Sequence, residues 1–169
     1  MNMEKFTERS RGFLQAAQTI AIREENQRVV PEHLLKALMD DDQGLASNLI
    51  TRSGGDAKRV QQAVDQAVAK LPKVSGGNSQ VYVDPSMVRV LDEAEKVAKK
   101  AGDSFVPAER ILMALAMVNT NAKDALEAGH THYTPSPGIT AVRETIAADM
   151  GARLGFEADP ANVIVTPGG

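Results

Sequence analysis

The chain has 169 residues, with 19 Lys and Arg against 22 Asp and Glu for a formal charge of -3; this length suits one domain of ordinary size or one domain plus an appendage and excludes two full enzyme domains. The acidic balance leaves no surplus cation for phosphate backbones, which excludes general nucleic-acid binding, and the absence of Cys removes disulfides, thiolate metal sites and cysteine nucleophiles together. Hydrophobic residues make up 43% but aromatics only 4%, so the core must be built from Leu, Ile, Val, Ala and seven Met, a composition that favours packed helices.

No stretch approaches the roughly 20 apolar residues needed to cross a bilayer. The N-terminus mixes Glu4, Lys5, Glu8, Arg9 and Arg11 without an apolar run, so a cytoplasmic protein with no membrane contact is expected. From Phe6 the apolar residues recur at Phe13, Leu14, Ala17, Ile20 and Ala21, the one-face spacing of a helix, which predicts a long first helix from about Glu4 to Glu25. Pro31 stands in the first turn of a second helix carrying Leu34, Leu35, Ala37 and Leu38, ended by Asp40, Asp41, Asp42 and Gly44. Leu45, Leu49 and Ile50 make a short third helix, and Asp56 caps a fourth whose face is Val60, Val64, Val68 and Leu71.

Lys73 to Ser79 holds Gly76, Gly77 and Asn78 and reads as a connection between two halves. The pattern then restarts: Asp84-Pro85 is a cap with a first-turn proline, Met87, Val90, Leu91, Ala94, Val97 and Ala98 mark one face, and Pro107 leads into Ile111, Leu112, Ala114 and Leu115. Sliding the chain by 77 residues sets Leu14 on Leu91, Ala17 on Ala94, Ala21 on Ala98, Val29 on Val106, Glu32 on Glu109, Leu35 on Leu112 and Leu38 on Leu115. A period this long means a duplicated half-domain, each half too poor in apolar surface to close alone. The two copies are expected to pack face to face about a pseudo-two-fold axis. After about Gly129 the texture changes: Pro135, Pro137, Pro160 and Pro167 crowd the end, Thr140 to Leu154 fits one more amphipathic helix, and Val163, Ile164 and Val165 suit a short buried strand.

Catalytic and metal constellations are mostly absent. Neither Gly54-Gly55 nor Gly76-Gly77 is followed by the spaced Gly-Lys-Ser/Thr of a phosphate loop, and His33, His130 and His132 lack the spacing of a zinc site. The Asp40 to Asp42 run has neither the turn glycine nor the terminal Glu of a calcium loop. Ser136, between two prolines, has no neighbouring base. Asp103 and Glu109 flank the start of the second repeat's short helix, where a turn-shaping acid and an acid at the positive end of the helix dipole account for them. No cofactor and no metal are expected. The seam between two stacked halves is where extended or unfolded peptides can dock.

Several motifs together resemble the N-terminal repeat domain of ClpB-type protein disaggregases: Phe6-Thr7-Glu8-Arg9, Glu32-His33-Leu34-Leu35-Lys36-Ala37-Leu38, Ser53-Gly54-Gly55-Asp56, Lys70-Leu71-Pro72-Lys73-Val74 and Gly102-Asp103-Ser104-Phe105-Val106. The resemblance covers about residues 1 to 120 and implies an eight-helix, two-repeat globule that recognises unfolded or aggregated proteins for an ATP-driven threading machine. It further implies that Thr7, Asp103 and Glu109 form a surface group linked to chaperone activity, and that an apolar groove beside the second repeat, with Leu91 and Val97, takes up substrate segments. Glu93 and Arg110 stand at groove positions where the family pattern is apolar, which points to weak binding. The resemblance also allows docking of a dedicated adaptor protein.

The end of the chain, Ala125-Leu126-Glu127-Ala128-Gly129-His130-Thr131-His132-Tyr133-Thr134-Pro135-Ser136-Pro137-Gly138-Ile139, with Val142-Arg143-Glu144 and Val163-Ile164-Val165-Thr166-Pro167-Gly168-Gly169, resembles a piece of a fold-type I aminotransferase. In that family the tyrosine and the glycine pair at Tyr133 and Gly168-Gly169 serve the phosphate of pyridoxal phosphate. The Schiff-base lysine and the substrate-binding arginine lie outside the matching segment, so no transaminase activity is expected. The resulting expectation is an all-α, duplicated four-helix repeat over residues 1–125, followed over 126–169 by a foreign segment with one helix and one short strand, or disordered. Asn121 to Gly129 fits both pieces. The function implied is noncatalytic binding of unfolded or aggregated proteins by a monomeric domain; an adaptor-binding module and an incomplete pyridoxal-phosphate enzyme are the rivals.

Overall fold

Thr7 opens the first long helix by accepting the Ser10 amide on its Oγ1 at 3.1 Å, which satisfies one of the donors a helix start leaves orphaned. The computed structural model describes residues 3–74, 81–129 and 147–148. A 3-10 turn at Met3–Lys5 precedes α1 (Glu8–Arg23), whose inner face is Ser10, Phe13, Ala17, Ile20 and Ala21. The helix begins later than its periodicity predicts because Phe6 and Thr7 are drawn into extended pairing with the other repeat.

Pro31 takes the first turn of α2 (Pro31–Met39), which is buried nearly all round, and Gly44, at φ +66°, turns the chain into α3 (Leu45–Arg52). Asp56 caps α4 (Ala57–Ala69) by accepting the amides of Lys58 and Arg59 at 3.0 and 3.2 Å. The second repeat follows the same order with α5 (Pro85–Ala101), capped by Asp84 and ended by Gly102 at φ +82°, then α6 (Ala108–Met117) and α7 (Asn121–Ala128), capped by Thr120. Helix α7 runs unbroken past Ala125.

Two short extended joints hold the repeats together, and the sequence pattern did not announce them. Strands β1 (Arg28–Val29) and β2 (Tyr82–Val83) pair in parallel with Val29 opposite Val83, and an isolated parallel bridge joins Phe6 to Val106. The 77-residue offset carries Phe6 onto Val83 and Val29 onto Val106, so these are one joint made twice: each repeat's lead-in residue pairs with the corner of the other. The amides agree, since Thr7 N–H donates to the Val106 carbonyl at 3.2 Å and Asp84 N–H to the Val29 carbonyl at 3.0 Å. The fold remains all-α, with two-residue strands as its clasp.

Helix α1 packs on α2 and α5 on α6, while α2 also meets α5 and α6. The core is one cluster drawn from both repeats, with Phe6, Leu34, Leu35, Leu38, Leu91, Ile111 and Leu115 almost wholly buried. Each such side chain contributes roughly 1.5–3 kcal/mol through water exclusion, and neither repeat could supply the enclosure alone. Ile20 is buried and Val97 half-buried, as facing repeats require.

The corner between α1 and α2 contains a fully buried histidine. The Val30 amide donates to His33 Nδ1 at 3.1 Å, which leaves the ring proton on Nε2 to donate to Asn26 Oδ1 at 2.9 Å. Asn26 Nδ2 in turn donates to the Pro72 carbonyl at 3.1 Å. Burial lowers the His33 pKa to about 4, against the opposing pull of the Glu24 carboxylate.

The chain divides into two compact units, Met1–Thr131 and His132–Gly169. In the second, residues 147–148 are helical and fall within the helix expected from Thr140 to Leu154. The strand expected at Val163–Val165 lies outside the described residues, as do His130, His132, Tyr133, Ser136 and Gly168–Gly169.

Candidate functional site

The corner between α5 and α6 carries the acids singled out from sequence. Gly102 in the left-handed region reverses the chain, Asp103 N–H donates to the Ala98 carbonyl at 3.0 Å, and the Asp103 carboxylate accepts Arg110 Nε at 2.7 Å. Both side chains of this pair are about 30% exposed, so screening keeps its net contribution small. What the pair fixes is the position of Arg110 at the start of α6.

Thr7 reaches the same corner from the other repeat. Its hydroxyl donates to Ser10 Oγ at 2.9 Å, Ser10 Oγ donates to the Val106 carbonyl at 2.8 Å, and the Thr7 amide bonds that carbonyl as well. Thr7 is therefore half-buried in the clasp, and its polar atoms brace the loop that carries Asp103.

Glu109, half-buried in the first turn of α6, has no hydrogen-bond or ion-pair partner among the described residues. The repeat explains this. Its counterpart Glu32 is buried and accepts Asn121 Nδ2 at 3.0 Å from the opposite repeat, whereas 77 residues before Asn121 stands Gly44, which has no side chain to offer.

Beside Glu109 an open groove of about 410 Å³ runs between α3, α6 and α7. Its walls are Leu49, Ile50, Leu112, Met113, Ala116 and Leu126, with Glu109 and Arg110 on its rim and Gly55 and Gly129 at its end. Leu49 and Leu126 are repeat counterparts, so the groove lies on the seam of the duplication. Gly129 keeps that end narrow: a Cβ there would lie 2.2 Å from Val60 Cγ2. Met113 and Met117 remain 43% and 54% exposed, an apolar surface with unbranched, adaptable side chains.

Leu91 and Val97 stand elsewhere. Leu91 is 1% exposed and belongs to the core, where a peptide could reach it only by opening the packing between repeats. Val97 is half-buried on α5, Glu93 pairs with Lys96 at 3.2 Å, and none of these three lines the groove between α3, α6 and α7. Sequence reasoning missed Leu49, Ile50, Met113 and Leu126. The available signal was the run Ala108–Met117, whose Met113, Ala116 and Met117 add a second apolar side to a helix that needs one for the core.

The arrangement can remove water from apolar side chains and place one carboxylate beside them, Arg110 being neutralised by Asp103. Among the described residues no group of three or more His, Asp or Glu is placed to hold a metal ion, and no helix is long and apolar enough to cross a membrane.

Residues 5–128 match the family model of the Clp repeat (R) N-terminal domain. The Chaperone protein ClpB of Agrobacterium fabrum is 48% identical over 161 residues, covering 94% of this chain and 18% of the relative, and an alignment of that coverage extends past residue 131. ClpB of Brucella suis is 55% identical over 117 residues, covering 69% of this chain and 13% of its own length. The chain thus spans less than a fifth of the curated relatives it matches. Among solved structures, the Hsp104 N-terminal domain from Candida albicans superposes with a TM-score of 0.67 at 23% identity, covering 75% of this chain and 83% of that one. The N-terminal domain of the ClpV1 ATPase from Escherichia coli gives 0.66 at 18% identity, covering 94% and 90%. Both likenesses concern the fold.

Proposed function

The chain belongs to the Clp repeat N-terminal domain family, and from that premise we propose that it is the noncatalytic substrate-recognition part of a ClpB-type protein disaggregase, binding unfolded or aggregated protein segments. The observation that carries the reading is the apolar groove between α3, α6 and α7 with the Glu109 carboxylate, without a partner among the described residues, on its rim. A shallow, open groove releases little apolar area compared with a closed pocket, so binding is weak and tolerant of sequence. That is the behaviour suited to capture of non-native chains. Asp103 acts by holding Arg110 and Thr7 by bracing the loop, while Val97 on α5 offers an apolar contact apart from the groove and Leu91 supports the core. The setting proposed is the cytoplasm, with the isolated domain a monomer.

Fluorescence anisotropy with labelled, reduced and carboxymethylated α-lactalbumin tests the groove. Met113→Asp and Leu49→Asp each place a charge where apolar contact is needed, and an affinity loss of at least about tenfold, 1.4 kcal/mol, is expected. Unchanged affinity in both variants refutes the assignment. Asp103→Ala and Glu109→Ala report the acids separately. The adaptor reading is favoured by the same Glu109 carboxylate, and salt-sensitive binding to one folded basic protein without affinity for unfolded chains would decide for it.

For residues 126–169 the proposal is a segment foreign to the repeat domain, similar to a fragment of a fold-type I aminotransferase. Its support is the run from Ala125 to Ile139 together with Val163 to Gly169. Limited proteolysis that releases a stable fragment ending near residue 125 to 130 bears this out, and full protection refutes it.

A further inference from the structure

The two repeats build the same corner, but among the described residues only one corner is filled. In the first, Glu25 is left-handed at φ +59° with its N–H on the Ile22 carbonyl at 3.1 Å, and Asn26 N–H meets the Ala21 carbonyl at 2.8 Å. In the second, Gly102 is left-handed at φ +82° with its N–H on the Lys99 carbonyl at 3.1 Å, and Asp103 N–H meets the Ala98 carbonyl at 3.0 Å. Every partner is displaced by 77 residues. The side chains keep the correspondence, the Asn26–His33 hydrogen bond at 2.9 Å becoming the Asp103–Arg110 ion pair at 2.7 Å.

What covers the first corner is an extended piece of polypeptide. Lys73 bridges Asn26 in antiparallel fashion, Val74 N–H donates to the Glu25 carbonyl at 2.9 Å, and Asn26 Nδ2 holds the Pro72 carbonyl. Among the described residues the second corner has no such strap, and the Gly102 carbonyl has no hydrogen-bond partner. Phe105 beside it is 56% exposed.

We infer that the Gly102–Asp103 corner is a docking edge for an extended segment of non-native polypeptide, which adds to it in antiparallel pairing as residues 72–74 add to the first corner. The bond to Gly102 is made by a main-chain N–H, so it is available to nearly any sequence. The polarity at the next position is reversed from the first corner. Asn26 offers an N–H to a strap carbonyl, whereas Asp103 offers a carboxylate oxygen, so the occupant there presents a donor: its own amide or a Lys, Arg or Ser side chain. Phe105 supplies an apolar face for a flanking side chain, and Arg110 belongs to this corner and to the groove rim alike. The inference rests on the reading of the chain as a binder of unfolded proteins and adds where and how it grips the main chain.

The test is a titration of the full chain, labelled with carbon-13 and nitrogen-15, with unlabelled reduced and carboxymethylated α-lactalbumin. The Gly102 carbonyl carbon is expected to move downfield as it gains a hydrogen bond, with the Asp103 and Phe105 signals following and the already bonded Glu25 carbonyl staying in place. Binding that shifts only Leu49, Met113 and Leu126 overturns this inference while leaving the proposed function intact. No binding at all overturns both. Cross-peaks in the free chain between Asp103 and residues 149–151, the offset counterparts of 72–74, would assign the corner to the chain itself and overturn the docking edge.

Discussion

Lowering the pH from 7 to 5 bears on the buried His33, and the structure fixes the sign of the effect. In the folded chain the ring is enclosed, its Nδ1 already accepts the Val30 amide, and burial holds its pKa at about 4 despite the Glu24 carboxylate; in the unfolded chain it returns to 6.5. The unfolded state therefore binds the proton first. Stability from this group is fully present above pH 6.5, falls as pH drops through the window from 6.5 to 4, and changes no further below it. Over the whole window the loss is about 3 kcal/mol, and about 2 kcal/mol of it comes between pH 7 and 5. That is a large share of the stability of a single domain. Urea unfolding followed by circular dichroism at pH 7, 6, 5 and 4.5 measures it. His33→Gln supplies the control, since a glutamine at this third helical position can still reach back to the N-cap amide. The variant is expected to lose about 1–2 kcal/mol at pH 7 from the bond to Asn26, and to lose most of the slope between pH 6.5 and 4. A wild-type stability flat across that window, or an equal slope in the variant, refutes the argument.

Asp84 caps α5 through the Ser86 amide at 2.9 Å and hydroxyl at 2.6 Å and also meets Arg28 at 3.1 Å, so Asp84→Ala is expected to lower unfolding stability by about 1–2 kcal/mol. The Ser86 hydrogen bonds, followed by Arg28, hold its carboxyl below the usual aspartate value. Its contribution is accordingly present above that usual value and lost as pH falls through the lowered one, an acid limb separate from that of His33. Leu91→Ala removes a core side chain that is 1% exposed, and a loss of about 3–5 kcal/mol in urea unfolding is expected. A stable Leu91→Ala variant with weakened binding alone would instead place this side chain on the binding surface.

Helical periodicity, caps and the 77-residue offset are local or additive signals, and they made α1 to α6 legible. Asp56 and Asp84 stand where caps are needed, and Leu34, Leu35, Leu91 and Leu115 where a buried face is needed, while the Thr7 and Thr120 caps emerged only in the structure. The clasp was not legible, because a two-residue strand has no period and its partner lies in the other repeat. The groove was hidden for a related reason: Leu49, Met113 and Leu126 look like any core residues until the packing of three helices leaves them uncovered.

By itself, then, the sequence determined where the periodic helices would form and that two halves would share one core, since caps and periodicity act over a few residues and the amount of apolar surface is set by composition. Only the tertiary structure decided, among the described residues, which apolar side chains remain outside, which carboxylate lacks a partner and which corner keeps a bare carbonyl. Those are properties of contacts between distant residues. Duplication makes them visible: the first repeat satisfies Glu32 with Asn121 and covers Asn26 with Pro72 and Lys73, while among the described residues the second leaves Glu109 and Gly102 without the matching partners.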